Sequence, residues 1–272
     1  MAKMGTVWDR TVEVLNGRTG MIAPIALLGM LLPSIVRDGF VAFSVPGTPS
    51  FVLVGGLLTL GAVVAMLWAQ LAIVAIATDP ATDAVSARRQ ARSRLLPAVG
   101  ITLMLSIVAL VFALPPLVAL VYAGFDFTAA ASGLSVATPG IGNAALFSGL
   151  YFLAYLLLII WLGARLVLLN PVILNERLGV GALRCSVQLT KGMTWRIIGV
   201  LILFAIVMLV STWAAQAVTG ILFRLALGAD GITTATFLAS IAGTIVTTAF
   251  TALAAVFTAQ LYVAIREKHA VP

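Results

Sequence analysis

The sequence predicts an all-α, polytopic membrane protein with six transmembrane helices, and its composition, apolar run lengths and charge placement all lead to this class. Of its 272 residues, 62% are hydrophobic and 9% are charged, whereas a soluble domain carries roughly 25% charged residues. A chain this apolar has too little polar surface to cover a soluble globule, so we expect a bilayer to solvate it. Continuous apolar runs without strand-type alternation favour helices over a β-barrel.

Six uncharged runs are candidates for membrane spans, since a span needs about 20 apolar residues. The predicted spans are 21–36, 51–77, 96–122, 143–164, 197–223 and 236–265. The first is short and contains Pro24 and Pro33, whereas the last run is longer than a span requires. We expect the spans to form a single membrane domain over residues 1–272.

The basic residues are distributed unevenly between the two sides of the predicted membrane. Fourteen of the sixteen lie on one side: Lys3, Arg10, Arg18, Arg88, Arg89, Arg92, Arg94, Arg165, Arg177, Arg184, Lys191, Arg196, Arg266 and Lys268. Because basic loops remain in the cytoplasm, we expect both termini to be cytoplasmic, which requires an even number of spans. The bacterial inner membrane is the simplest expectation, and the net charge of +7 suits anionic phospholipids rather than nucleic acid.

Three basic segments outside the spans are predicted to be helical. Residues 79–95 and 176–196 each form a candidate for a short amphipathic elbow helix that leads into the next span. Residues 5–18 have a partial apolar face and are expected to lie in the membrane interface. The shared order of span, elbow helix and span suggests a parallel repeat, although any six-span protein with basic inner loops would have a similar pattern.

Residues 164–196 carry the most distinctive pattern in the chain. Its features are Ala164–Arg165 at the end of a span, Pro171, Glu176, Ala182–Leu183, Ser186, Leu189, Gly192 and Trp195–Arg196. This segment resembles the membrane domain that precedes the catalytic domain in some glycerophosphoryl diester phosphodiesterases, a pattern shared by stand-alone bacterial membrane proteins. The resemblance implies a six-helix membrane domain linked to lipid or envelope metabolism. It does not imply phosphodiesterase activity, because that activity resides in a separate barrel domain that this sequence lacks.

Within this segment, the first candidate interaction is a structural ion pair. Arg165 lies near the inner end of the fourth predicted span, where a charge is costly unless it pairs or reaches the interface. If the chain folds back after Pro171, the Glu176 carboxylate can pair with Arg165 or with Arg196. Such a pair would fix the position of the elbow.

The second candidate interaction in this segment is with a lipid headgroup. Arg184, Lys191 and Arg196 are candidates to bind a lipid phosphate, and Trp195 is a candidate anchor at headgroup level. The alternative is that these charges only orient the chain in the membrane.

Two features of the predicted spans suggest local irregularity or polarity. Pro115–Pro116 is expected to kink or break the third span, either as a packing kink or as the lining of a cavity. Hydroxyl side chains cluster at helical spacing in the sixth span: Ser240, Thr244, Thr247, Thr248, Thr251 and Thr258. They favour close helix packing or a polar path. Arg165 is the only ionisable residue assigned to the spans, which argues against ion-coupled transport.

No catalytic, cofactor-binding or metal-binding motif is found in the sequence. His269 is the sole histidine and Cys185 the sole cysteine, so neither a zinc site nor an intrachain disulfide is expected. The sequence therefore predicts a non-enzymatic scaffold or lipid-interacting protein without a cofactor. Two alternatives remain open: an accessory subunit that packs against a larger membrane complex, and a permease-like component that docks a separate ATPase. As protein partners, the sequence leaves open another membrane protein or a further copy of the chain.

Overall fold

A computed structural model describes residues 4–127, 141–176 and 179–270, which form helices joined by short turns and contain no strand. The helices are α1 (Met4–Ala26), α2 (Leu32–Phe43), α3 (Pro49–Thr78), α4 (Ala84–Tyr122), α5 (Ile141–Leu166), α6 (Leu169–Asn175), α7 (Gly181–Leu189), α8 (Thr194–Leu227) and α9 (Ile232–Ala270). A π-helical turn, Leu27–Leu31, joins α1 to α2, and a 3₁₀ turn, Ala229–Gly231, joins α8 to α9. Lys3, Arg177 and the side chain of His269 lie outside the described part of the chain.

Six helical segments in the described ranges are long and apolar enough to cross a membrane. They are Met4–Phe43, Pro49–Thr78, Ala84–Tyr122, Gly142–Asn175, Thr194–Leu227 and Ile232–Lys268. The predicted all-α, multi-pass class is thereby confirmed. The helices extend beyond the predicted span limits, because backbone hydrogen bonding continues into the charged segments at either end.

The largest difference from prediction concerns the first span. Residues 5–18 are not a separate short helix: they belong to a helical segment of 40 residues that continues to Phe43. Part of the apolar face of α1 packs on the bundle, with the Trp8 ring 6.4 Å from the Phe257 ring of α9, whereas Trp8 and Val12 remain exposed. Val7 and Ile22 are buried in this contact region.

The start of α1 and the last turns of α9 lie at the same end of the bundle, which we call the terminal end. Arg10 Nη1 donates to Glu267 Oε2 at 2.9 Å, joining the start of α1 to the last turns of α9. The opposite end, here the far end, carries the α2–α3 and α8–α9 connections.

The core lies in the terminal half of the molecule. In α3 the buried residues are Ala62, Ala69 and the continuous run 71–77, so burial is concentrated in its last turns. In α8 only Thr194, Ile197 and Ile198, within its first two turns, are buried. Helix α6 is wedged between α3, α4 and α9, and Pro171–Leu174 are buried there. In the far half, the helices therefore present most of their apolar side chains outward.

Arg18 ties α1 to the end of α3. Its Nη1 donates to the carbonyl oxygens of Ile76 and Asp79 at 2.5 and 3.0 Å, and its Nη2 donates to Pro80 O at 2.5 Å. The last carbonyl groups of a helix lack intrahelical donors and carry partial negative charge. The Arg18 guanidinium supplies the missing donors and a compensating positive charge, so this basic residue has a structural role.

The two predicted elbow segments differ in structure. Residues 84–95 are simply the first turns of α4, so the prediction of a separate helix in 79–95 is wrong. Asp83 begins α4 as its N-cap and accepts a hydrogen bond from Ser86 N at 3.0 Å, and its contacts with the Ser86 hydroxyl and backbone lower the pKa of this carboxyl. The second segment does contain a distinct short helix, α7. The two connections therefore do not support a parallel repeat.

The Pro115–Pro116 step is packed against α5, and α4 continues through it without a break. Pro116 has no N–H to donate to Phe112 O, the carbonyl oxygen four residues earlier. The Tyr151 hydroxyl of α5 donates to that oxygen at 2.8 Å, and Ser148 Oγ donates to Pro116 O at 2.9 Å. A neighbouring helix thus supplies the donor that proline removes.

We expect Tyr151→Phe to destabilise the α4–α5 pair, because it leaves Phe112 O without its donor. Interhelical hydrogen bonds of this kind contribute about 0.6 kcal/mol on average, so a decrease of this order in the free energy of unfolding is expected in a detergent denaturation titration. Tyr122→Phe is the matched control, since the Tyr122 side chain is 88% exposed. Equal effects of the two substitutions would contradict the assignment.

Candidate functional site

The segment predicted to be functional is a docked structure, consisting of α6, α7 and the turn up to Met193, which we call the elbow. Ser186 Oγ and Thr190 Oγ1 donate to Arg165 O at 2.9 and 3.2 Å, which satisfies a carbonyl in the last turn of α5. Ser186 and Thr190 are fully buried. These contacts attach α7 to the end of α5.

The Arg165 side chain is held between α5 and α7. Its Cζ lies 5.1 Å from the centroid of the Trp161 ring, a cation–π geometry. Its Nη1 donates weakly to Val187 O at 3.4 Å, and its Nε is buried without a hydrogen-bond partner. The predicted pairing of Arg165 with Glu176 is therefore wrong, because the aromatic ring and the α7 backbone occupy the guanidinium.

Glu176 attaches the other side of the elbow to α9. Its carboxylate forms an ion pair with Arg266 and accepts a hydrogen bond from the Tyr262 hydroxyl at 2.5 Å. Arg266 Nε also donates to the Tyr262 oxygen at 3.3 Å. The predicted alternative pairing with Arg196 is wrong as well. The ion pair does fix the elbow, as expected, but its basic partner comes from the C-terminal part of α9.

The remaining four predicted residues are all exposed, and we call them together the basic face: Arg184, Lys191, Trp195 and Arg196. In α7 the positions Ala182 and Ser186 point into the protein, whereas Arg184 and Gln188 lie on the exposed side. Gly192, with φ of 84°, turns the chain from α7 into α8 in a conformation that favours glycine. Trp195 is 82% exposed. The three basic residues form neither a hydrogen bond nor an ion pair with the described residues.

Cys185 lies on α7 between the docked and exposed sides. Burial raises the pKa of its thiol above the ordinary value. The thiol therefore remains protonated at neutral pH, a state unsuited to metal ligation or nucleophilic attack.

A second site, missed by the sequence reasoning, is a polar cavity in the far half. Arg37 had been assigned to the connection outside the first span, but it lies with Asp38 inside α2. Arg37 Nε and Nη2 donate to Asp38 Oδ1 at 3.0 and 2.7 Å, and the Thr244 hydroxyl is shared between Ser240 O at 2.8 Å and Asp38 Oδ2 at 3.2 Å. The first span-length helical segment, Met4–Phe43, therefore carries this charged pair, in addition to Arg165 in the fourth.

The cavity has a volume of about 380 Å³ and is bounded by α2, α3, α8, α9 and the π-helical turn. Its lining comprises Met30, Ser34, Arg37, Asp38, Met66, Gln216, Ser240, Gly243, Thr244, Thr247, Thr248 and Thr251. The hydroxyl cluster predicted in the sixth span supplies most of one wall, and Thr258 is the member that does not line it. π-Helical turns are frequent at functional sites, and Met30 of this turn is buried against the cavity.

A close helix approach shapes this wall. A Cβ atom built on Gly243 would lie 2.2 Å from Gln216 Nε2 and 2.7 Å from its Cγ. Only glycine therefore allows the Gln216 side chain to lie across α9 at this point. In the sequence, the signal for this cavity is the adjacent Arg37–Asp38 pair, which has apolar residues on both sides up to Phe43.

Comparisons with known proteins identify no family for this chain: no family model matches it, and no match was found among curated proteins or solved structures. The resemblance of residues 164–196 to the phosphodiesterase-associated membrane domain stays a prediction.

We expect Glu176→Gln to loosen the elbow, because it removes the charge that holds Arg266. The Arg266 side chain is 48% exposed, so water screens the pair and a cost of about 1 kcal/mol is expected. This corresponds to roughly fivefold faster hydrogen exchange of the α7 amides. Glu267→Gln is the control, since it breaks the Arg10 pair at the same end without contacting the elbow. Unchanged exchange in Glu176→Gln would contradict the anchoring role.

Proposed function

We propose that this chain is a non-enzymatic integral membrane protein of the bacterial envelope that binds anionic phospholipid through the basic face of the elbow. The observation that carries the proposal is that Arg184, Lys191 and Arg196 are exposed and have no acidic partner among the residues that the structure describes. Glu176, the acidic residue of the same segment, is already engaged by Arg266.

The docking of the elbow supports a binding role over a purely orienting one. A charge that only sets topology needs no defined position, whereas this face is held by hydrogen bonds to Arg165 O on one side and by Glu176 on the other. Because the backbone is already fixed, only the basic side chains lose entropy when they bind a phosphate. Trp195 adds an amphipathic ring that is suited to the headgroup region.

The proposed orientation has the terminal end in the cytoplasm of a bacterium, at the inner membrane. Its support is the excess of basic residues at that end. Anionic lipids of the inner leaflet would then face the basic face. The resemblance of residues 164–196 to membrane domains linked with lipid metabolism supports the same reading.

We expect the triple substitution Arg184→Gln, Lys191→Gln and Arg196→Gln to abolish tight retention of phosphatidylglycerol or cardiolipin in native mass spectrometry of the purified chain. Each basic residue near an anionic surface contributes about 1 kcal/mol, so the affinity should fall by roughly a hundredfold.

A second triple substitution, Arg89→Gln, Arg92→Gln and Arg94→Gln, is the matched control. It removes the same charge from the same end of the molecule, on α4. Loss of lipid in the control to the same extent, or retention in the elbow variant, would refute the proposal. A protein partner retained at fixed ratio would instead favour an accessory subunit.

A further inference from the structure

A hydrocarbon layer centred on α8 would enclose the α8 and α9 walls of the polar cavity. Helix α8 has 34 residues and is thus about 51 Å long, so a hydrocarbon layer of about 30 Å centred on it begins roughly 10 Å from either end. Gln216 precedes the end of α8 at Leu227 by about 16 Å, and Thr244 follows the start of α9 at Ile232 by about 18 Å. Polar groups at this depth have no bulk water to bind.

Several of these polar groups have no partner within the described part of the chain. Ser34, Gln216 and Thr248 line the cavity and form no hydrogen bond with the described residues. Gln216 is also exposed on the side of α8. An amide without a hydrogen bond in an apolar medium costs several kcal/mol. A ligand that satisfies these groups would therefore be stabilised by binding here.

The charged pair constrains the charge of such a ligand. Arg37 uses two N–H groups on Asp38 Oδ1 and retains its others, while Asp38 Oδ2 accepts one bond from Thr244 and retains further acceptor capacity. The pair is neutral as a whole. A lone cation or anion would leave an uncompensated charge in a low-dielectric site, whereas a group that carries both signs would engage Arg37 and Asp38 together.

The lining also discriminates between ammonium types. The residues around the cavity include no aromatic ring, which quaternary ammonium groups prefer. Hydroxyl oxygens, the Gln216 carbonyl and the Asp38 carboxylate instead accept hydrogen bonds from N–H groups. A primary ammonium provides three such donors, and a phosphate provides acceptors for the Arg37, Ser34 and Thr248 donors.

We propose that this cavity binds a zwitterionic phosphate–ammonium group of the phosphoethanolamine type. A volume of about 380 Å³ lies at the lower end of the usual range for small-ligand sites. The exposed Gln216 marks a side on which a phospholipid headgroup can enter between helices. The same chemistry would be offered by a soluble glycerophosphoethanolamine, so the source must be separated by experiment.

The test compares retention of phosphatidylethanolamine, phosphatidylcholine and phosphatidylglycerol with identical acyl chains, using the purified full chain and native mass spectrometry. The wild type should prefer phosphatidylethanolamine over phosphatidylcholine by roughly tenfold or more. The double substitution Arg37→Gln and Asp38→Asn should remove this preference. It leaves no unpaired charge in the membrane, so we expect it to fold.

The matched control is Arg224→Gln with Asp230→Asn, which removes one residue of each sign from the far end outside the cavity. It should keep the preference, and retention of phosphatidylglycerol should be unchanged in all variants. Gly243→Ala should also remove the preference for phosphatidylethanolamine, because it displaces Gln216 without altering the charge. Free glycerophosphoethanolamine that competes as well as the lipid would assign the site to a soluble ligand of the same chemistry.

Three results would overturn the proposal: no preference for phosphatidylethanolamine in the wild type, an unchanged preference in both the double variant and Gly243→Ala, or equal loss in the control. Because the basic face is left intact by these substitutions, its binding of anionic lipid is read separately.

Discussion

The contact of α9 with α3 and the short α6 at the terminal end is the constraint on which the rest of the structure depends. Its largest buried side chains include Leu71, Ile73, Ile173 and Leu261. Polar anchors fix the register: Gln260 Nε2 donates to Ala77 O at 2.6 Å, and Asn170 Nδ2 donates to Gln70 Oε1 at 3.0 Å. In a bilayer, apolar surface alone does not drive helices together, so close packing and such hydrogen bonds decide which helices associate.

This placement of the core leaves the far half of the bundle with a different character. Helix α8 buries no residue beyond Ile198, but it stays packed on α9, with the Phe204 and Phe250 rings 5.4 Å apart and Gln216 lying against Gly243. In the terminal half, α6 fills the space between α3, α4 and α9. In the far half, the space between α2, α3, α8 and α9 remains open as the cavity, and polar residues line it.

The fold class, the span count and the exposed basic face could be predicted because they depend on composition and local charge. Contacts between residues distant in sequence could not be predicted. Glu176 pairs with Arg266 of α9 because α6 folds back against the bundle, and residue spacing does not predict this change of direction. The double proline illustrates the same limit, since its effect is settled by Tyr151 of another helix. Arg37–Asp38 was misplaced because two adjacent charges end a hydropathy run, although a self-neutralising pair can continue the helix.

The two polar surfaces differ in charge balance, and this difference separates their ligands. On the basic face, three cations have no acidic partner in the described ranges, so under our proposal the face attracts a net negative headgroup and its affinity falls as salt screens the charges. In the cavity, Arg37 Nη2 and Asp38 Oδ1 lie 2.7 Å apart and their charges cancel. A ligand with a net charge would be poorly solvated in the surrounding low dielectric, so a zwitterion is favoured. Binding in the cavity should therefore change little with ionic strength where binding at the elbow weakens. Measuring the retention of both lipids in one sample over a range of salt concentrations distinguishes the two sites without any substitution.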